Sequence, residues 1–525
     1  MITTPIFTRL MNTSEYGQFG VFNSWHGIIT IIVCLNLYAG VHTQGLIKFD
    51  NERSIFSSSL QGLTTILVIA WTSIYYVYRA FWNNLFSLTT VQMLAMLIMI
   101  WTTAIFGFWA NEQRVTYSYK ALVIVTLAAS LAKPIVGIFL VIHSEDKVTA
   151  RILGLVLVEI ISYFWMYIVQ IKRGKVFFSK RFWLYALRFN IPLVPHYLSQ
   201  VVLSGADRIM IQAMVGSSEA GIYNLAYSVS LIMTLFNTAL MQTISPWMYQ
   251  KIKDHKITEL APIAYTTLAL IAVVNLLLIL LAPEAVALFA PKTYYDAIWV
   301  IPPVAMSVFF MYCYDLFAKF AFYYEKTRFI MIASVAGAVL NIGLNYVFIK
   351  LFGYVAAGYT TLVCYVVYSC VHYLFMRKVC DEKCEGKYPY KTADILRIAI
   401  PFLITGSVLL FSYRLPILRY GIIIVVCIAA VVFRNKIFKI LLPIKLQSTI
   451  SPLPDINDLI LTASSGALVP KATIVRPISI LDTLKLPATL LAPSTNISAP
   501  FIKITNPSTN KKTFNNITLL LLFNN

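Results

Sequence analysis

The chain has 525 residues, 59% of them apolar and only 12% charged, with a mean hydropathy of +0.74. Soluble domains carry about 25% charged residues, so too little polar surface remains to face water and a soluble globular enzyme is excluded. The formal charge is +20, from 42 Lys and Arg against 22 Asp and Glu; these charges cluster in gaps between apolar runs, which makes anionic lipid the nearer partner and argues against nucleic acid.

A spanning helix needs about 20 apolar residues. Thirteen runs qualify, near 17–42, 58–78, 88–110, 118–142, 150–171, 183–212, 219–247, 262–284, 296–320, 328–350, 354–376, 394–412 and 417–433. The gaps between them alternate in charge. One set holds 22 cations: Lys48, Arg53; Arg114, Lys120; Lys172, Arg173, Lys175, Lys180, Arg181; Lys251, Lys253, Lys256; Lys326, Arg328; Arg377, Lys378, Lys383, Lys387, Lys391; Arg434, Lys436, Lys439. The other holds eight: Arg9, Arg79, Lys147, Arg151, Lys292, Lys350, Arg414 and Arg419. The positive-inside rule places the first set in the cytoplasm. The longest cytoplasmic gap, 377–393, is charged and too short for a soluble catalytic domain.

The chain opens Met1-Ile-Thr-Thr-Pro5, apolar and without the basic start of a signal peptide. It reads as the last turns of a helix. The next segment, Arg9-Leu-Met-Asn-Thr-Ser-Glu-Tyr-Gly-Gln-Phe19, is echoed by Arg208-Ile-Met210 and Ser218-Glu-Ala-Gly-Ile-Tyr223. In both, Ser and Glu suit a helix start, with Ser capping and Glu meeting the positive dipole end. Duplicated halves are common in transporters, whose substrate site lies at the repeat interface; two similar caps arising by chance is the alternative. In the first span, His26 with Asn23 and Trp25 are candidates to line a pathway.

Charge at mid-bilayer costs about 2.5–3.5 kcal/mol on insertion scales, so ionisable residues within spans carry a functional hypothesis. Lys133, followed by Pro134, falls in the middle of 118–142. It is either a cavity cation for a lipid diphosphate or the ion-pair partner of Glu159 in the next span. The run 183–212 is the most polar, with Arg188, Pro192, Pro195, His196, Gln200, Asp207 and Arg208. Its prolines predict a broken helix, and broken helices line cavities. His196 and Gln200 share one face. Arg188 sits near the cytoplasmic end, where a long side chain snorkels; Asp207 and Arg208 lie near the outer end. Asp315 and Lys319 are spaced for an intrahelical pair. Asn341 and Asn345 share a face suited to a sugar or, preferably, to a neighbouring helix.

Five of the seven cysteines, Cys34, Cys313, Cys364, Cys370 and Cys427, fall in spans as small apolar residues. Cys380 and Cys384 lack further ligands for a metal. There is no GxxxxGK phosphate loop and no nucleophile–base constellation, so the expectation is a non-enzyme with no cofactor, coupled to an ion such as H+ or Na+ or driven by downstream consumption. From Gln447 the composition changes. The last 79 residues hold eight of 22 prolines and no spanning run, which predicts a low-order or aberrant tail.

Four blocks carry a family resemblance. Thr4-Pro-Ile-Phe-Thr-Arg-Leu-Met-Asn-Thr-Ser-Glu-Tyr-Gly-Gln-Phe-Gly20 resembles the first helix end and loop of bacterial O-antigen and capsule flippases of the multidrug/oligosaccharidyl-lipid/polysaccharide superfamily. Ile191-Pro-Leu-Val-Pro-His-Tyr-Leu-Ser-Gln200, Ser204-Gly-Ala-Asp-Arg-Ile-Met-Ile211 and Ala220-Gly-Ile-Tyr-Asn-Leu-Ala226 resemble that family's seventh helix and its junction with the eighth. The resemblance covers about 1–445. It implies an all-α polytopic protein: a first bundle over 1–181 with a truncated first helix, a second over 182–376, two further helices over 377–446, then the tail. It also implies flipping of undecaprenyl-diphosphate-linked oligosaccharide across the bacterial inner membrane by alternating access, with a polymerase and chain-length proteins as partners. The rivals are a multidrug/cation antiporter of the same superfamily, which would favour buried carboxylates; a polysaccharide polymerase or glycosyltransferase, which would carry a long external loop; and a purely structural membrane protein.

Overall fold

A computed structural model describes residues 3–432. The expected 447–525 tail, the end of the last predicted span and the cations Arg434, Lys436 and Lys439 lie outside the described residues. In chain order the helices are α1 Thr4–Leu10, α2 Thr13–Cys34, α3 Gly40–Lys48, α4 Arg53–Val77, α5 Arg79–Phe86, α6 Thr90–Val115, α7 Tyr119–Ile142, α8 Lys147–Gly174, α9 Lys180–Asn190, α10 Val194–Met214, α11 Ser217–Lys253, α12 Leu260–Leu280, α13 Ala282–Phe289, α14 Ile301–Tyr323, α15 Thr327–Phe352, α16 Ala356–Lys383, α17 Thr392–Ser412 and α18 Pro416–Val432. Among the described residues there is no strand.

Each of the thirteen predicted spans falls on a helix, and the first and the most polar of them break inside their length. The first stops at Cys34 because Leu35 and Asn36 take left-handed backbone, φ 49° and 53°; α3 then restarts the chain. The most polar span breaks at Ile191–Leu193, a single 3-10 turn, where Pro192 has no N–H to donate. Its first part, α9, is strapped to the first half. Phe182 packs its ring 5.1 Å from Phe49 and 5.3 Å from Phe56. The Trp183 indole N–H donates to the Ser59 carbonyl at 2.8 Å, and the Asn190 amide donates to the Leu35 carbonyl.

Ten described helices are long and apolar enough to cross a membrane: α4, α6, α7, α8, α11, α12, α14, α15, α16 and α17. Helices α2 and α10 have comparable length but are more polar. Their position explains this. In the first half, α8 packs on α4, α6 and α7; in the second, α10 packs on α15, and α14 on α11 and α16. Helix α2 lies between them, against both α10 and α11, so neighbouring helices and not lipid cover much of α2 and α10.

The two repeated segments meet at this seam. The hydroxyls of Thr13 and Ser218 are 2.7 Å apart. A Cβ on Gly17 would collide with the Ser217 carbonyl, and a Cβ on Gly221 with the Thr13 carbonyl. The contact is reciprocal: Thr13 and Gly17 stand to α11 as Ser217 and Gly221 stand to α2, in the register that pairs Ser14–Phe19 with Ser218–Tyr223. The capping expectation is corrected. Asn12, not Ser14, caps α2, accepting from the Glu15 N–H at 2.9 Å while its own N–H donates to Glu15 at 2.8 Å. Ser218 does not cap α11; it lies inside that helix and bonds Thr13. Further contacts close the same end: the Thr8 hydroxyl donates to the Phe289 carbonyl at 2.7 Å, and the Tyr294 hydroxyl to the Met11 carbonyl at 3.3 Å.

Candidate functional site

Polar clusters lie within the helices of both halves. In the first, α7 and α8 run antiparallel and bring Lys133 and Glu159 to one depth. Lys133 Nζ is 2.8 Å from Glu159 Oε1, and the Thr102 hydroxyl of α6 donates to Oε2 at 2.6 Å. The Glu159 side chain is 5% exposed and that of Lys133 28%, so the pair is interior and the lysine keeps one side open. The ammonium also lies 5.8 Å over the Tyr163 ring. Pro134, inside α7, leaves the Ser130 carbonyl without its helical donor. Of the two sequence readings of Lys133, the structure has the ion pair: a lone buried ammonium costs several kcal/mol, and Glu159 removes that cost.

His26 of α2 lies close enough to feel both charges, and its Nε2 is buried without a partner. Asn23, nearly one turn earlier, is exposed. Trp25 packs edge-on against Phe86 at 4.6 Å.

The second cluster centres on Asp207 of α10, 1% exposed. Its Oδ2 accepts from the Tyr223 hydroxyl of α11 at 2.7 Å and the Thr361 hydroxyl of α16 at 2.9 Å. Its Oδ1 accepts from the Asn345 amide of α15 at 2.6 Å. Asn345 also donates to Asn341 at 3.2 Å and accepts from Thr360. Both asparagines are fully buried, so their shared face serves helix contact. Arg208, the next residue, turns away: its guanidinium lies 4.1 Å over the Tyr227 ring and donates across the seam to Ser24 at 3.3 Å.

Nearer the start of α10, His196 Nδ1 lies 3.1 Å from the Ser334 hydroxyl and the Gln200 amide donates to the same oxygen at 3.2 Å. Tyr368 completes this group, its hydroxyl 3.0 Å from Ser334. His196 and Gln200 thus share a face, and that face meets α15. Arg188 is exposed on α9, the part of this span that precedes the break and packs against α3 and α4. Asp315 and Lys319 form the expected intrahelical pair at 3.1 Å.

Sequence reasoning missed Thr102, Tyr163, Tyr223, Ser334, Thr361 and Tyr368. Hydroxyl residues in apolar helices give no signal alone; only Tyr365, Tyr368 and His372, at i, i+3 and i+7 in α16, form a readable stripe. Among the described residues no three His, Cys, Asp or Glu side chains gather as for a metal.

Residues 1–251 match the family model described as polysaccharide biosynthesis protein, and residues 192–347 match MatE. A Haemophilus influenzae protein named Lsg locus putative protein 1 is 24% identical over 213 residues, 38% of this chain and 52% of that protein. An uncharacterized membrane protein of the same species is 21% identical over 203 residues, 38% and 50% of the two chains. The chain thus spans about half the length of the curated relatives it matches. Among solved structures, the lipid II flippase MurJ in an inward closed conformation superposes with TM-score 0.59 at 14% identity, over 83% of this chain and 100% of that one. An inward-facing multidrug resistance MATE transporter gives 0.56 at 12%, over 74% and 95%. The chain is thus a multi-pass helical bundle whose repeated segments face each other across one seam, whose first 251 residues match the polysaccharide biosynthesis protein family, and whose fold is shared with the lipid II flippase MurJ and a MATE transporter of the MOP superfamily.

Proposed function

We propose that this protein flips an undecaprenyl-diphosphate-linked oligosaccharide across the bacterial inner membrane for surface polysaccharide synthesis, by alternating access of two bundles over 1–181 and 182–376, with 377–446 adding two helices. The observation that carries this reading is the seam. The two polar central helices, α2 and α10, meet there, and the reciprocal Gly17/Gly221 crossing gives the halves an axis about which to rock. The Thr13–Ser218 end is then periplasmic and the basic gaps are cytoplasmic. Residues His26, Asn23, Lys133, Glu159, His196, Gln200, Asp207, Arg208, Asn341 and Asn345 either line the route or support those that do. Arg188 meets anionic headgroups at its entrance.

The reading is tested in proteoliposomes holding a fluorescent polyprenyl-diphosphate oligosaccharide, with outer-leaflet dye quenched by dithionite. Purified protein renders the inner-leaflet pool accessible; a quench no greater than in empty liposomes sinks the reading. The antiporter alternative draws on the MatE match over 192–347 and on the buried carboxylates Glu159 and Asp207. It predicts that deleting the gene sensitises cells to cationic drugs while surface glycan stays intact.

A further inference from the structure

The second half contains a group of aromatic side chains that the Glu159 and Asp207 clusters do not use. Tyr314 of α14 faces α16, where Tyr365, Tyr368 and His372 form one stripe. The Tyr314 ring centroid lies 6.5 Å from Tyr365, 4.7 Å from Tyr368 and 5.5 Å from His372, and Tyr368 and His372 are 4.6 Å apart. Helices α10, α11 and α15 flank this pair. Tyr314 and Tyr365 sit within the bundle yet keep part of their surface accessible.

Their polar atoms are unmet. Neither the Tyr314 nor the Tyr365 hydroxyl makes a hydrogen bond among the described residues, and neither does His196 Nε2. His372 is 2% exposed and both its ring nitrogens are buried without a partner. An unpaired polar group inside a lipid-embedded bundle costs free energy that packing does not return. The two His372 nitrogens are buried in this way, while the Tyr314 and Tyr365 hydroxyls and His196 Nε2 are left to bond whatever enters beside them, a partner that both donates and accepts.

We infer that Tyr314 and Tyr365, with His372 packed behind them and His196 linked through Ser334 and Tyr368, form a saccharide-binding face that grips the glycan part of the transported lipid; this rests on the flippase reading above. The chemistry fits a neutral sugar. Pyranose rings offer apolar C–H faces to aromatic rings and hydroxyls that donate and accept. The carboxylates nearest this face are already met, Asp315 by Lys319 and Asp207 by two hydroxyls and an amide, so a cationic drug finds no open counter-ion on it.

The test uses full-length protein in detergent and two probes: a polyprenyl diphosphate bearing a neutral trisaccharide, and the same lipid diphosphate without sugar. Tyr314→Leu and Tyr365→Leu should each weaken binding of the sugar-bearing probe about tenfold, or about 1.4 kcal/mol, and leave the bare probe unchanged. Tyr365→Phe, which keeps the ring and the packing, should lose about threefold, the share of one hydrogen bond. Equal losses for both probes, or none for either, overturn the saccharide face while leaving the flippase reading intact. Wild-type protein that binds neither probe overturns both.

Discussion

Glu159 in the first half is met by an ammonium from the adjacent helix and by one hydroxyl, whereas Asp207 in the second is met by two hydroxyls and an amide from three helices, with its neighbour Arg208 turned towards Tyr227 and Ser24. The first arrangement cancels charge within one helix pair. The second distributes hydrogen bonds over four helices, α10, α11, α15 and α16, and so knits the bundle together. The contrast separates two ways of keeping a carboxylate in an apolar bundle: an ion pair fails when either member is removed, while a hydrogen-bonded cage degrades in steps.

The sharpest way to break the comparison is at the ion pair. Glu159→Gln leaves Lys133 as a buried ammonium beside a neutral amide. Breaking a buried pair costs about 3–5 kcal/mol, and the partial exposure of Lys133 sets the expected loss near the lower end. Replacing both residues by Met should recover most of it, measured as the thermal transition in detergent. A double variant no better than Glu159→Gln would deny that the pair cancels charge.

The cage should behave differently. Asp207→Ala strands the Tyr223 and Thr361 hydroxyls and the Asn345 amide, a loss of about 2–3 kcal/mol. Asp207→Asn keeps one accepting oxygen and should cost only about 1 kcal/mol. Equal damage from the two variants would show that the charge, and not the hydrogen bonds, holds the cage.

The seam couples the halves, so it sharpens the contrast. Gly17→Ala drives a methyl into the Ser217 carbonyl and should destabilise by about 1–3 kcal/mol, as overpacking does. Adding Gly221→Ala should cost less than its own single effect, because α2 and α11 have already been forced apart. Strict additivity in the double-mutant cycle would remove the reciprocal crossing from the argument. The smallest effect belongs to the intrahelical Asp315–Lys319 pair: Asp315→Asn should change stability by about 0.5 kcal/mol. A larger drop would place that pair among the buried ones.

Much of the fold could be read along the chain. The spacing of apolar runs located a helix for each predicted span, because a bilayer of fixed thickness demands about 20 apolar residues whatever the tertiary contacts. The Ser-Glu-x-Gly repeat was visible as well, and its glycines turned out to occupy equivalent places in one crossing. The site was less legible. Lys133 and Glu159 could be paired on depth alone, since adjacent antiparallel helices keep register. Asp207 could not be matched with Thr361 or Asn345, which lie 154 and 138 residues away. Nor could the sequence show that the Arg188 segment packs on α3 and α4 apart from α10; that follows from the break at Ile191–Leu193 and from Phe182 and Trp183 docking there.

The order of apolar and polar segments therefore settled the solvent, the places of the spans and the doubling, since hydrophobic length and local periodicity act within one segment. Which helices avoid lipid, which hydroxyl satisfies which carboxylate and which tyrosines remain unmet were decided by assembly alone. Those outcomes depend on crossing points between segments far apart in the chain, and a one-residue shift at a crossing such as Gly17–Gly221 would turn different faces towards each other.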